Sequence, residues 1–106
     1  MSNLRVEFPL GSMSKEDAKA RLAALGEYLT NKHGIQVAWS GDSATVKGKY
    51  LVVQIDGSLK FEGNNAVFDG KDPGFLWRGK AKDYLANKLG QYLDPKKKLE
   101  ELPRSA

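Results

Sequence analysis

The stretch DPGFLWRGKAKDYLANKLGQYLD, residues 72–94, determines how the rest of the chain must be arranged. Asp72 and Pro73 suit the N-cap and the first position of a helix, and Pro95 ends the pattern. On a helical projection one face collects the residues Trp77, Ala81, Tyr84, Leu85, Leu89 and Tyr92. The stretch therefore predicts an amphipathic helix that needs an apolar surface to cover.

The segment before this helix supplies such a surface, because its apolar residues alternate with polar ones. The same alternation occurs in residues 4–8, and its strongest part in the middle of the chain is residues 50–56. Turn-forming residues divide the middle segment at 40–43, 48–49, 56–57 and 63–65. Residues 35–69 therefore predict an antiparallel meander of four or five short strands.

Another helix is predicted for residues 14–33, between the first strand and the meander. Ser14 is a good N-cap with Asp17 three residues later, and Gly34 suits the position after the last turn. His33, in the last turn, is interpreted as a capping residue that faces the negative end of the helix dipole. Small residues recur on both predicted helices, and we interpret these stripes as a helix–helix contact, with coincidence as the alternative: Ala20, Ala24, Gly79, Ala86 and Gly90.

The opposite face of the predicted sheet is polar except for Tyr50 and Val52, which we expect to pack under a terminus. A sheet that is apolar on one face needs helices on that face only. We therefore predict a two-layer α+β domain with the order β-α-β-β-β-β-α, or with one strand more. It occupies residues 1–94, and residues 95–106 form a charged, flexible tail.

Composition excludes several kinds of chemistry. The chain of 106 residues has no cysteine and a single histidine, so it offers neither thiolate chemistry nor the ligands of a histidine-based metal site. Four aspartates that could form a carboxylate pair lie beside Gly or Pro, where Asp serves turn geometry: Asp42, Asp56, Asp69 and Asp72. We expect a protein that is not an enzyme, without catalytic residues, metal or cofactor.

The net charge of +4 lies wholly in the C-terminal third. Residues 1–70 have 8 basic and 8 acidic residues, whereas residues 71–106 have 9 and 5. The projection assigns the aromatic residues of the last helix, including Phe75, to the side that faces the core. The remaining basic surface is the candidate contact surface, and it consists of Arg78, Lys80, Lys82, Lys88, Lys96, Lys97 and Lys98.

Such a surface fits an anionic amphiphile layer or phosphates. The alternative partner for the same lysines is nucleic acid or a regulator. Nucleic acid is not favoured, because no helix-turn-helix, ribonucleoprotein-type aromatic motif or zinc finger is present. A carrier of small apolar ligands, with a pocket between the sheet and the last helix, is another alternative. The sequence has no apolar window of membrane-spanning length and no signal peptide, and it predicts a cytoplasmic protein.

The order of these features resembles the small bacterial polyhydroxyalkanoic acid system proteins over about residues 3–93. A strand ends in Phe8-Pro9-Leu10-Gly11 before an Ala-rich helix, a strand with a Trp and a Gly-Asp turn spans 35–42, and Gly74-Phe75-Leu76 opens a Lys-rich helix. Family members commonly have His at the position of Phe8, so any role of that His is absent here. The resemblance implies a non-enzymatic accessory protein of polyhydroxyalkanoate storage granules, with the polyester surface or a granule protein as its partner.

Overall fold

The structure is a computed structural model that describes residues 3–50 and 53–104. It is a five-stranded antiparallel sheet that is covered on one face by two helices. Its elements are β1 (Asn3–Pro9), α1 (Lys15–His33), β2 (Gln36–Ser40), β3 (Ser43–Tyr50), β4 (Val53–Glu62), β5 (Asn65–Lys71), α2 (Phe75–Tyr92) and a 3₁₀ turn (Leu99–Glu101). The strand order is β1-β5-β4-β3-β2. The predicted α+β class with two helices on one face of a meander is therefore confirmed.

The ends of α1 are those that the sequence predicts. The Ser14 hydroxyl accepts a hydrogen bond from the Asp17 backbone N–H at 3.1 Å, and Gly34 adopts a left-handed conformation with φ of 70°. The helix lies close to β2, because a Cβ on Gly26 would lie 3.1 Å from Val37 Cγ1. Glycine at position 26 therefore allows the helix backbone to approach the sheet.

Two predicted hairpin turns are wrong. Gly48-Lys49 lies inside β3, where Gly48 pairs with Ile55, and Asp56-Gly57 lies inside β4, where Gly57 pairs with both Val46 and Gly70. A Cβ on Gly48 would lie 3.0 Å from Ile35 Cα, so this glycine leaves room for a neighbouring strand rather than turning the chain. The predicted turns at 40–43 and 63–65 are correct, and Gly41 and Gly63 have φ of 63° and 59° there.

The start of α2 is also corrected. The helix begins at Phe75 and Gly74 is its N-cap with φ of 101°, so Asp72 is not the cap. The Asp72 carboxylate instead accepts a hydrogen bond from the Gly74 backbone N–H at 2.8 Å and pairs with Arg78. Gly74 needs positive φ, and the short acidic side chain stabilises the turn that precedes it.

The predicted contact between the small-residue stripes is not formed. A Cβ on Gly79 would meet no atom within 4 Å, and one on Gly90 would lie 3.8 Å from Phe8 of β1 rather than near α1. The helices meet instead through larger side chains, since the rings of Tyr28 and Tyr92 lie 6.4 Å apart.

Among the described side chains, the outer face of the sheet is polar apart from one buried apolar residue. Val67 is fully buried on this face, where Arg5 makes ion pairs with Glu62 at 2.5 Å and Glu7 at 3.2 Å. These charged side chains are more than one third exposed, so the ion pairs contribute little to stability. The prediction for Tyr50 and Val52 falls outside the described side chains.

A buried arginine holds the segment that follows α2. Arg21 donates hydrogen bonds to the backbone carbonyls of Tyr92 at 3.3 Å, Asp94 at 2.9 Å and Lys97 at 2.6 Å. Further along, Leu102 is buried in the same core. The division into a domain and a flexible tail stays a prediction, but these contacts favour a docked segment up to residue 104.

Candidate functional site

The two ends of α2 differ sharply in burial. Leu89 and Tyr92 are fully buried, whereas Phe75 and Leu76 are 80% and 74% exposed. Strand β5, which precedes the helix, ends at Lys71. Its neighbour β4 extends further, because residues 53–56 of β4 pair with β3 but not with β5. The first half of α2 and residues 53–56 of β4 line one cavity, so the contact of this half with the sheet is incomplete.

Phe75 and Leu76 form an exposed apolar pair, and the predicted position of Phe75 is wrong. Phe75 was expected on the core-facing side with Trp77, but residues two positions apart on a helix do not share a face. Trp77 is half-buried and lines the cavity under the helix, whereas Phe75 points outward. Among the described residues these two are the large apolar side chains that remain exposed. Their position outside the stripe from Trp77 to Tyr92 was the signal that could have identified them.

The predicted contact cations do not form one surface. Lys80 and Lys82 are exposed beside the apolar pair, and the Lys80 ammonium lies 5.5 Å from the centre of the Trp77 ring. Arg78 is paired with Asp72 at 2.8 Å. Lys88 lies over the ring of Tyr28, 4.6 Å from its centre, so it stabilises the contact between the helices.

The other lysines, Lys96, Lys97 and Lys98, are exposed at the opposite end of α2. The helix has 18 residues, which corresponds to a length of about 27 Å. These three lysines are therefore remote from the apolar pair at the start of the helix. The structure brings together Arg78, Lys80 and Lys82 with Phe75 and Leu76, and it separates them from the last three lysines.

A cavity of about 340 Å³ lies beneath the first half of α2. Its walls are formed by the sheet, by the end of α1 and by α2, and its apolar lining includes Leu4, Ile35, Val46, Ile55, Phe68 and Leu85. Trp77 also lines it, whereas Trp39 and Phe61 pack elsewhere against the core. Trp77 and Leu85 thus do not close into solid packing, which favours the alternative of an apolar-ligand pocket.

The position of the Phe68 ring depends on two glycines. Gly57 and Gly70 are paired across β4 and β5, and a Cβ on either would lie within 2.9 Å of the Phe68 ring. The ring therefore lies directly over the two glycine backbones and forms part of the cavity wall. Glycine inside a strand often marks such a close approach.

His33 lines the cavity at the end of α1 and contacts α2. Its Nε2 lies 3.4 Å from the Tyr84 hydroxyl, and the two rings meet at 69°. Burial, and to a lesser extent the charges of Lys32 and Lys88, lower the pKa of His33 from its ordinary value. The imidazole is consequently neutral at pH 7 and contributes no charge to the cavity.

We expect protonation of His33 to destabilise the protein. Because its pKa is lowered in the folded state, the unfolded state binds the proton more tightly, and the free energy of unfolding falls as pH drops below about 6.5. An NMR titration should give a midpoint below that value. In the His33→Gln variant, stability should fall less between about pH 7.5 and 5.5. A midpoint at or above 6.5 would contradict the neutral, desolvated imidazole.

Comparison with known families gives one match. A family model described as "Putative polyhydroxyalkanoic acid system protein" matches residues 11–96, from the turn after β1 through the whole of α2. No curated protein and no solved structure matches the chain. Within residues 3–50 and 53–104 no helix is long and apolar enough to cross a membrane. Since the matched region covers most of the chain, including the exposed pair and most of the residues that line the cavity, the protein belongs to the polyhydroxyalkanoic acid system family.

Proposed function

We propose that this protein is a non-enzymatic accessory protein of polyhydroxyalkanoate granules that binds the granule surface through the first turns of α2. The observation that carries the proposal is the exposure of Phe75 and Leu76 side by side. Transfer of a large apolar side chain out of water contributes about 1.5–3 kcal/mol. Insertion of both into an apolar layer would therefore support reversible binding.

The charges around the apolar pair fit the same surface. Lys80 and Lys82 are exposed on the same helix, and long cationic side chains beside apolar ones are typical of helices that lie on anionic amphiphile layers. The charge of Arg78 is already balanced by Asp72. The two lysines are therefore the cations that we expect to strengthen binding and to make it sensitive to salt.

A role without catalysis is part of the proposal. Asp42 contacts Lys15 and Lys19, and Asp69 contacts Arg5, so these carboxylates serve ion pairs on the surface. Glu62, which could otherwise act as an acid, has its pKa lowered chiefly by a hydrogen bond from Arg5. A general acid at neutral pH needs a raised pKa instead.

The apolar pair should determine binding to granules. Replacement of both residues, Phe75→Ser with Leu76→Ser, is expected to weaken co-sedimentation with purified polyhydroxyalkanoate granules at least tenfold, because two exposed apolar side chains can no longer leave water. Thermal unfolding should change little, since both side chains are already exposed in the free protein. Equal co-sedimentation of the variant and the original protein would overturn the proposed surface.

A charge-matched pair of variants tests the electrostatic part. Lys80→Gln with Lys82→Gln should weaken binding at low salt, whereas Lys47→Gln with Lys49→Gln should not, because Lys47 and Lys49 lie on the outer face of the sheet. Both double variants remove two positive charges. If both double variants weakened granule binding equally, net charge and not the position of the lysines would determine binding. A gel shift with DNA that is lost with Lys80 and Lys82 would instead favour nucleic acid as the partner.

A further inference from the structure

We propose that the cavity beneath α2 binds a single unbranched acyl chain with a carboxylate head group. This site shares Lys80 with the proposed granule-binding surface but not its apolar pair, because neither Phe75 nor Leu76 lines the cavity. The proposal rests on three features of the described residues, which are the size of the cavity, its apolar walls and the position of two lysines.

The walls suit a flexible hydrocarbon chain. The cavity volume of about 340 Å³ lies at the lower end of the range of small-molecule sites. Val46 and Ile55 of the sheet face Ala81 and Leu85 of α2 across it. A water molecule needs two or more polar partners, and the aliphatic part of the lining provides none, although His33, Gln54 and Tyr84 also line the cavity. An acyl chain would replace such water, and each methylene that it buries should tighten binding about fourfold.

Two lysines provide for an anionic head group. Lys71, at the end of β5, and Lys80, on α2, both line the cavity and both are exposed. Asp56 is the acidic residue among the described lining residues. Ile55 and Gly70, their strand neighbours, lie on the core side, so alternation along β4 and β5 places both Asp56 and Lys71 at the outer rim of the sheet, whereas Lys80 approaches the cavity from α2. These three charges together leave the entrance with a net positive charge.

The two lysines also indicate which class of anionic head group the site would bind. Both cations are lysines, and a lysine binds an anion as a point charge without the fork of an arginine. Two such donors suit the single charge of a carboxylate. The Lys80 ammonium lies over the Trp77 ring, 5.5 Å from its centre, so it is already held at the entrance. Its stem can move only a short distance before it meets a head group.

The test uses decanoate and its neutral analogue 1-decanol as probes of the full chain, below the concentration at which decanoate forms micelles. Methyl NMR signals of Ile35, Val46, Ile55 and Leu85 should shift with either probe, whereas those of Leu10 and Leu102, which do not line the cavity, should not. Decanoate should bind at least tenfold more tightly than decanol. Absence of shifts at the cavity methyl groups, or equal shifts at the remote ones, would overturn the proposal.

Variants locate the head group and the chain separately. Lys71→Gln with Lys80→Gln should remove the preference for decanoate and leave decanol binding intact, and both side chains are exposed, so the fold should persist. Ala81→Phe should fill the cavity and abolish binding of both probes. The Phe75→Ser, Leu76→Ser variant should bind decanoate normally, which separates this site from the granule surface. An unchanged preference in the double lysine variant would refute the assignment of the head group.

Discussion

Replacement of Gly57 by alanine is expected to lower the free energy of unfolding by about 2–3 kcal/mol. The added Cβ would lie 2.8 Å from Phe68 Cζ and 2.9 Å from the Gly70 Cα, closer than carbon atoms pack. The Phe68 ring can move only into the cavity, and the Gly70 backbone is held in the sheet by its pairing with both Leu4 and Gly57. Overpacking of this kind typically costs about 1–3 kcal/mol, and urea unfolding measures it.

A matched control has the opposite expected sign. Gly79 lies in the middle of α2, and a Cβ there would meet nothing within 4 Å, so Gly79→Ala should stabilise the protein by about 0.5–1 kcal/mol. The chemical change is the same in both variants, and only the surroundings differ. If Gly57→Ala were as stable as the original protein, the Phe68 ring would not lie over the glycine pair.

Replacement of Arg21 by methionine is expected to destabilise the protein by about 3 kcal/mol and to release the segment after α2. The guanidinium is buried and donates hydrogen bonds to three backbone carbonyls, those of Tyr92, Asp94 and Lys97. Methionine preserves most of the side-chain volume but has no donor, and a buried acceptor left unpaired costs about 1–3 kcal/mol. Amide hydrogen exchange should accelerate in residues 95–104.

Arg104 provides the control, because it lies at the end of the same segment but remains half exposed. Its guanidinium contacts Glu27 at 2.9 Å, and Arg104→Met should cost less than about 1 kcal/mol. Arg21→Lys should restore little of the loss, since one ammonium cannot reach three carbonyls in different directions. Slow exchange in residues 95–104 of Arg21→Met would show that the segment is held mainly by Leu102.

Local patterns were sufficient for most of the secondary structure. The hydroxyl of Ser14, the left-handed Gly34 and the turn at Gly63 each act within a few residues, so the sequence alone predicts them well. The two false turns, at Gly48 and Gly57, have one cause. Glycine before or after a polar residue is typical of a turn, but here it makes room for a side chain or backbone on another strand. That neighbour is not adjacent in sequence.

The candidate site was predicted only in part. Lys80 and Lys82 are exposed on α2, as the projection indicates, but Lys88 is engaged with the Tyr28 ring. Residue periodicity within α2 could not reveal this cation–π contact, because Tyr28 belongs to α1. The cavity was also beyond local analysis, apart from the general expectation of a pocket between the sheet and the last helix. It depends on how far β4 extends beyond β5.

The stretch from residue 72 to residue 94 determines by itself that the chain has an amphipathic, basic last helix, since helical periodicity and charge are local properties. The apolar side of this helix also requires an apolar surface to cover, which is one face of the sheet. The tertiary structure decides which part of that helix is covered. Because β5 ends at Lys71 and Arg21 holds carbonyls from Tyr92 onward, the C-terminal half of α2 buries Leu89 and Tyr92, while the first half covers a cavity and exposes Phe75 and Leu76.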